Sequence, residues 1–299
     1  MRKPFALLAP LLTATLAACT APGLLTGING LVPGDAGARK LASGIAFGGL
    51  PRQKLDVWGQ KVRAGEPLKP VVVFLYGGGW VAGSRGDYGF AGSAFAGQGF
   101  VTIVPDYRLV PEVRFPAFVE DGALAVRWAR DHAAQYGGDP SRITLAGHSA
   151  GAYNALMLTL DRHFLADAGV DPKIVRGAAI LSGPTDFYPF TDIRSRDALG
   201  GWPDPKATQP ITFARADAPP ILLIHGTADT VVRPRNSIVL ADRLRALGAP
   251  VELKLYEGKS HVDVVKALSR PFRRSLTVLA DASAFLHRAT AVPTSAGSK

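Results

Sequence analysis

The chain has 299 residues, 47% of them hydrophobic and 19% charged, with a single cysteine. That length and apolar content suffice for one large α/β domain or two small ones and exclude a disordered or fibrous chain. Its net charge of +10, from 34 Lys+Arg against 24 Asp+Glu, is dispersed without any block of like charge. This speaks against a nucleic-acid partner and allows at most a weak attraction to an anionic membrane surface.

The N-terminus reads as a targeting segment. Arg2 and Lys3 precede an apolar stretch, Phe5 to Ala18, that is too short to span a bilayer, so residues 1–18 have the pattern of a secretory signal. The stretch ends Leu16-Ala17-Ala18-Cys19, which resembles a bacterial lipobox. On that reading Cys19 is lipidated and becomes the mature N-terminus, anchoring the protein to a membrane of the bacterial cell envelope, facing the periplasm or at the cell surface. With Cys19 the only cysteine, no disulfide can form within the monomer. Residues 19–44, punctuated by Pro22, Gly23, Gly27, Gly30, Pro33, Gly34 and Gly37, read as anchor and flexible linker. The folded domain is expected over 45–289, followed by a disordered tail at 290–299.

Within that domain Gln53 to Trp58 alternates as an early strand, and Val71 to Leu75 is a continuous apolar run, the mark of a strand buried on both faces of a parallel sheet. Phe100 to Val104, Ile143 to Ala146, Gly177 to Leu181, Ile221 to Ile224 and Val251 to Tyr256 read as further strands. Helical patterns lie between them: from Pro116 to a stop at Gly137-Gly138, then Ala150 to Leu160, about Asn236 to Leu247, and Ser275 to His287. The alternation predicts an α/β fold with a mostly parallel, doubly wound sheet flanked by helices. Residues 184–219, rich in Asp, Pro and Gly without periodicity, read as a small lid-like insertion.

Gly147-His148-Ser149-Ala150-Gly151, between a buried strand and a helix, has the pattern of a nucleophile elbow: Ser149 on a strained turn, with glycines where strand and helix approach closely. Acyl transfer through such a serine needs a base, an acid to orient it, and donors for the oxyanion. Of six histidines, His261 stands in a loop beyond a strand's carboxyl end, where α/β folds place their chemistry, and is the candidate base. His132, His163 and His287 read as surface residues and His225 as packed against a turn. Asp229, after the strand ending at Ile224, is the candidate acid, with Asp186 and Glu257 as alternatives. Gly77-Gly78-Gly79, directly after a buried strand, offers unobstructed backbone N–H groups. The same glycines, with Ala82 and Asp106, also fit a loose dinucleotide-binding fingerprint, but Gly83 to Asp87 would break the helix that motif requires.

From Gly49 to Leu286 the chain resembles the α/β-hydrolase family, in particular carboxylesterases related to hormone-sensitive lipase and the prenylcysteine-methylesterase-like and feruloyl-esterase-like proteins. The resemblance is carried by Gly77-Gly78-Gly79-Trp80, Asp106-Tyr107-Arg108-Leu109, Tyr136 to Pro140, Gly147 to Gly151 and His225-Gly226-Thr227-Ala228-Asp229. It implies an α/β-hydrolase fold, Ser149 as nucleophile with Asp229 and His261 as partners, and an oxyanion hole from the N–H groups of Gly78, Gly79 and Ala150. Tyr76 stands where the family usually has histidine, and a Tyr76→His change is expected to keep or raise turnover. Tyr76, Trp80 and His148 are candidates for the substrate pocket.

The function these features predict is hydrolysis of small-molecule carboxylic esters, of short or compact acyl groups, without metal or other cofactor. The alternatives are an arylformamidase-like amide hydrolase and a non-catalytic surface binding protein built on a hydrolase fold.

Overall fold

The computed structural model describes residues 34–63 and 65–291. The apolar runs form the centre of a sheet: β3 (Lys69–Leu75), β4 (Val101–Pro105), β6 (Val175–Leu181) and β7 (Ile221–Gly226) are buried over nearly their whole length. β5 (Gly138–His148) is buried from Ile143 onward. Three strands with more polar patterns complete it: β1 (Arg39–Ala46), β2 (Lys54–Gly59) and β8 (Val251–Tyr256). The order is β1-β2-β4-β3-β5-β6-β7-β8. β1 and β2 run antiparallel to their neighbours and the remaining six are parallel. Parallel strands need crossover helices, which cover both faces and make each central strand apolar throughout.

The helices are α1 (Gly89–Gly97), α2 (Ala117–His132), α3 (Ala150–Leu160), α4 (Arg162–Asp167), α5 (Ile193–Leu199), α6 (Arg235–Ala246), α7 (His261–Lys266) and α8 (Val278–Ala289). α3 packs on β5 and β6 and is itself covered by α2, so all eleven of its residues are buried and it shows no polar face. Each fully buried leucine there contributes about 2 kcal/mol from burial alone. α2 and α8 are amphipathic, with the apolar stripe on the sheet side. α2 continues into a 3₁₀ turn at Ala133–Tyr136 and stops where Gly137 turns left-handed at φ 80°.

β1 begins at Arg39, inside the segment read as linker from composition. An edge strand shows little apolar alternation; tertiary bonds settle it here, with Lys40, Ser43 and Gly44 all donating to the buried Asp56 of β2. Helices α1, α4, α5 and α7 are too short, or in α1 too uniformly apolar and glycine-rich, to produce a helical period. The final helix starts three residues later than its pattern suggested and ends at Ala289. Thr290, read as part of the tail, is buried and donates to the Leu286 carbonyl. The signal pattern, Cys19 and residues 292–299 of the tail lie outside the described residues. Among the described residues no helix is long and apolar enough to cross a membrane.

The segment 184–219 holds α5 and 3₁₀ turns at Pro205–Thr208 and Pro210–Phe213. It is tied to the body. Asn236 Oδ1 accepts from the N–H of Thr185 and Asp186, and the Tyr153 hydroxyl donates to the Thr208 carbonyl, while within the segment Gln209 Oε1 accepts from Phe187 and Tyr188.

Candidate active site

Every segment singled out for chemistry ends a strand on the carboxyl edge of the sheet: the glycine loop after β3, the elbow after β5, the Asp229 turn after β7 and His261 after β8. At the elbow Ser149 has φ 56° and ψ −122°, a conformation costly for a residue with a Cβ. Several contacts impose it. The Ser149 N–H donates to the Leu181 carbonyl at 2.9 Å, and its own carbonyl starts α3 by accepting from Tyr153. The flanking glycines are set by space. A Cβ on Gly147 would stand 2.5 Å from the Gly151 carbonyl oxygen, and one on Gly151 2.2 Å from those of Leu75 and Tyr76. Strand, turn and helix therefore meet backbone to backbone, and Ser149 is left partly exposed where its neighbours are buried.

His261 is not in a loop, as its sequence context suggested, but is the first residue of α7, whose start is fixed by a capping box between Ser260 and Asp263. Its Nδ1 donates to Asp229 Oδ2 at 2.7 Å. A ring nitrogen facing an ionised carboxylate carries the proton, which leaves Nε2 with its lone pair. Asp229 is well satisfied. Its Oδ1 accepts from the N–H of Val231 and Val232, each at 2.9 Å, and its Oδ2 also lies 3.3 Å from His225 Nε2. Burial pushes this carboxyl up, but the hydrogen bonds from His225 and His261 outweigh it and hold it well below the usual carboxylate range. His225 is therefore more than a packed residue: its Nε2 donates to the Val232 carbonyl and towards Asp229, while Nδ1 accepts from the Ser237 hydroxyl. The alternative acids are occupied or remote. Asp186 pairs with Arg235, and Glu257 is exposed.

His261 is held against the elbow. Its ring lies 4.7 Å from that of His148, and its carbonyl accepts from His148 Nε2 at 3.2 Å. With Nε2 a donor, His148 Nδ1 accepts from the Tyr88 hydroxyl at 3.1 Å. Burial and the neighbouring His261 depress the His148 pKa well below its ordinary value, so this ring is neutral. It is a buried strut behind the elbow, and the expectation that it lines the substrate pocket is corrected.

The glycine loop turns with Gly78 at φ 145° and Gly79 at φ 63°. Gly77 lies against the Tyr88 hydroxyl, from which a Cβ built on it would stand only 2.9 Å. The N–H groups of Gly78 and Gly79 form no main-chain hydrogen bond among the described residues. Ala150, as the first residue of α3, has no intrahelical acceptor for its N–H. Three amides are thus available to a charged oxygen at a helix N-terminus.

Tyr76, at the start of this loop, is fully buried and is likewise corrected from pocket wall to brace. Its ring stacks on Tyr107 at 4.4 Å, its hydroxyl accepts from Arg52 Nη2 at 3.0 Å, and its carbonyl accepts from the Tyr107 hydroxyl at 2.7 Å. Arg52 also donates to the carbonyls of Gly83 and Tyr107. The aromatic pair and Arg52 thereby clamp both ends of the loop. The Asp106-Tyr107-Arg108 motif serves the same purpose, with Asp106 on Arg85 and Arg108 on Asp121. An Asp106 so paired, and a first helix that starts only at Gly89, remove the dinucleotide reading. Trp80, only 3% exposed, packs between Phe118 and Phe187, edge-on to Tyr153, and donates to Asn154 Oδ1. Arg52, His225 and Asn236 escaped sequence reasoning because a lone polar residue carries no signal of the partner that tertiary structure gives it.

An elbow serine, an imidazole held on a carboxylate and a glycine loop on the carboxyl edge of such a sheet are the arrangement of an α/β-hydrolase. A family model described as BD-FAE matches residues 55–244, more than half of the chain, and the chain belongs to that family. It is 33% identical over 222 residues to esterase LipC of Mycobacterium tuberculosis, covering 68% of this chain and 55% of that protein. It is 30% identical over 242 residues to a probable isoprenylcysteine alpha-carbonyl methylesterase of Oryza sativa subsp. japonica, covering 74% and 56%. Among solved structures it is similar to the apo form of Thermogutta terrifontis esterase 2, with a TM-score of 0.70 and 27% identity over 88% of this chain and 98% of that one. The chain spans a little over half the length of the curated relatives it matches.

Proposed function

We propose that the protein hydrolyses small-molecule carboxylic esters through a Ser149-His261-Asp229 triad and a covalent acyl-enzyme. Ser149 Oγ attacks the ester carbonyl carbon as His261 Nε2 takes its proton. The tetrahedral oxyanion rests on the N–H groups of Gly78, Gly79 and Ala150. The carbon–oxygen bond to the alcohol then breaks, and the alcohol leaves with the proton from His261. Water, deprotonated by the same nitrogen, attacks the acyl-serine, and collapse of the second tetrahedral adduct returns the proton to Ser149 and releases the acid. Asp229 stays ionised throughout and stabilises the imidazolium.

The observation that carries this reading is the His261 Nδ1 to Asp229 Oδ2 bond of 2.7 Å, which leaves a basic nitrogen on a ring held beside the elbow. A preference for short or compact acyl groups is part of the same proposal. The test is release of p-nitrophenol from p-nitrophenyl acetate, butyrate and decanoate. The reading predicts turnover that falls with chain length and is abolished in Ser149→Ala; turnover that survives this change would contradict it. The Leu16-Ala17-Ala18-Cys19 sequence supports attachment to the bacterial envelope through a lipid on Cys19. Fractionation of wild type beside Cys19→Ser tests that part, with the variant expected to leave the membrane fraction.

A further inference from the structure

Helix α5 carries a cation onto the glycine loop. A Cβ built on Gly79 would lie 2.8 Å from Arg194 Cδ and 3.5 Å from its Nη1, so the Arg194 stem lies across Gly79 and its guanidinium stands beside an amide assigned to the oxyanion. Other arginines near this loop have their charge or donors spent on the protein: Arg52 on Tyr76 and two carbonyls, Arg85 on Asp56 and Asp106, and Arg108 on Asp121. Arg194 is exposed, and among the described residues it forms no ion pair with a carboxylate. The acids nearest in sequence are otherwise engaged or turned to solvent. Asp192 accepts from both the N–H and the hydroxyl of Ser195, Asp186 pairs with Arg235, and Asp197 is exposed without forming an ion pair. A guanidinium is a planar fork suited to a carboxylate, and here it is delivered by an insertion pinned to the body through Asn236 and Tyr153.

We propose that Arg194 is a specificity-determining residue that selects esters bearing a carboxylate on the acyl chain close to the scissile carbonyl, that is, half-esters of short dicarboxylic acids. The inference rests on the ester-hydrolase reading and adds the charge of the substrate to it. With the ester carbonyl oxygen against Gly78, Gly79 and Ala150, an acyl chain of two methylenes can return a terminal carboxylate towards Gly79, where Arg194 meets it. An unpaired cation there is satisfied by such a substrate and by no neutral one.

The test compares monoethyl succinate with ethyl 4-methylpentanoate, in which an isopropyl group replaces the carboxylate at equal shape, by ethanol release near neutral pH. The quantity read is the ratio of kcat/KM for the anionic ester to that for the neutral one. The inference predicts a ratio that falls about tenfold in Arg194→Ala, is largely restored in Arg194→Lys, and declines with added salt in the wild type. A ratio in Arg194→Ala within twofold of wild type, or a loss of equal factor for both esters, would overturn it while leaving the esterase reading intact. If the wild type turned over neither ester and also failed to cleave p-nitrophenyl acetate, the esterase reading would fall and this inference with it.

Discussion

Asp229 Oδ2 is shared by two imidazoles, His261 Nδ1 at 2.7 Å and His225 Nε2 at 3.3 Å, so the group that orients the proposed base is itself oriented by a second histidine. The carboxylate must be charged for His261 to keep its proton on Nδ1. Asp229→Asn preserves the shape but can present an N–H to His261, which reverses the tautomer and places the proton on the nitrogen that should accept one. We predict a fall in kcat of about 10³-fold or more with little change in KM. Steady-state kinetics on a short p-nitrophenyl ester checks it; a loss below tenfold would deny Asp229 the role.

His148 makes stability depend on pH. Its folded-state pKa is depressed by burial, so between the folded value and the unfolded value near 6.5 the unfolded chain binds the extra proton. Stability is then full above about pH 6.5 and declines as pH falls, at most by about 1.4 kcal/mol per pH unit for this one group. Asp229, also depressed, adds a loss that starts only as pH falls below about 4. Urea unfolding at pH 7.5, 6.5 and 5.5 should show the wild-type midpoint falling across the series. His148→Gln, though weaker at pH 7.5, should show a flatter dependence.

The brace beneath the glycine loop reverses what the sequence led us to expect of Tyr76. A histidine there is too short to stack fully on Tyr107 and to reach Arg52. We predict that Tyr76→His lowers stability by about 2–4 kcal/mol and reduces turnover. Tyr76→Phe, which keeps the stack and loses only the Arg52 bond, should cost about 1 kcal/mol. Thermal melting and kcat of the pair together separate packing from the hydrogen bond.

Gly78 has no room for a side chain. A Cβ on it would lie 2.0 Å from the Ala82 carbonyl oxygen, at a φ of 145° that other residues avoid. Gly78→Ala must therefore shift the loop and misalign its amides. We predict a loss of about 10²-fold or more in kcat, with a melting temperature within several degrees of wild type, since the strained turn lies at the sheet's edge.

The fold was readable wherever burial erased the polar residues. The runs in β3, β4, β6 and β7 are apolar because helices cover both faces, and α2 and α8 announce themselves by one wet side. β1 was missed because an edge strand is held by Asp56, and nothing along the chain hints that Lys40 and Ser43, 16 and 13 residues away, converge on one carboxylate. The segments around Ser149, Asp229 and His261 were legible because each lies in a short motif at a strand end. The pieces that hold them were not. Tyr76 and His148 read as pocket residues because they neighbour the motifs, whereas Arg52 and Tyr107 hold the first and Tyr88 and His261 hold the second in the interior. Arg52 and Arg194 acquire meaning only from neighbours distant in sequence, Tyr76 and Gly79, and His225 only once the turn after β7 brings Asp229 and Val232 back to its ring.

The central claim is that Ser149 is an activated nucleophile. It is tested most directly by incubating the folded protein with a fluorophosphonate and locating the adduct by mass spectrometry, beside Ser149→Ala and His261→Ala. The account predicts one phosphonyl group per chain, on Ser149, absent from the first variant and formed far more slowly in the second. A folded wild-type protein that takes up no label, or carries it on another residue, would contradict the account.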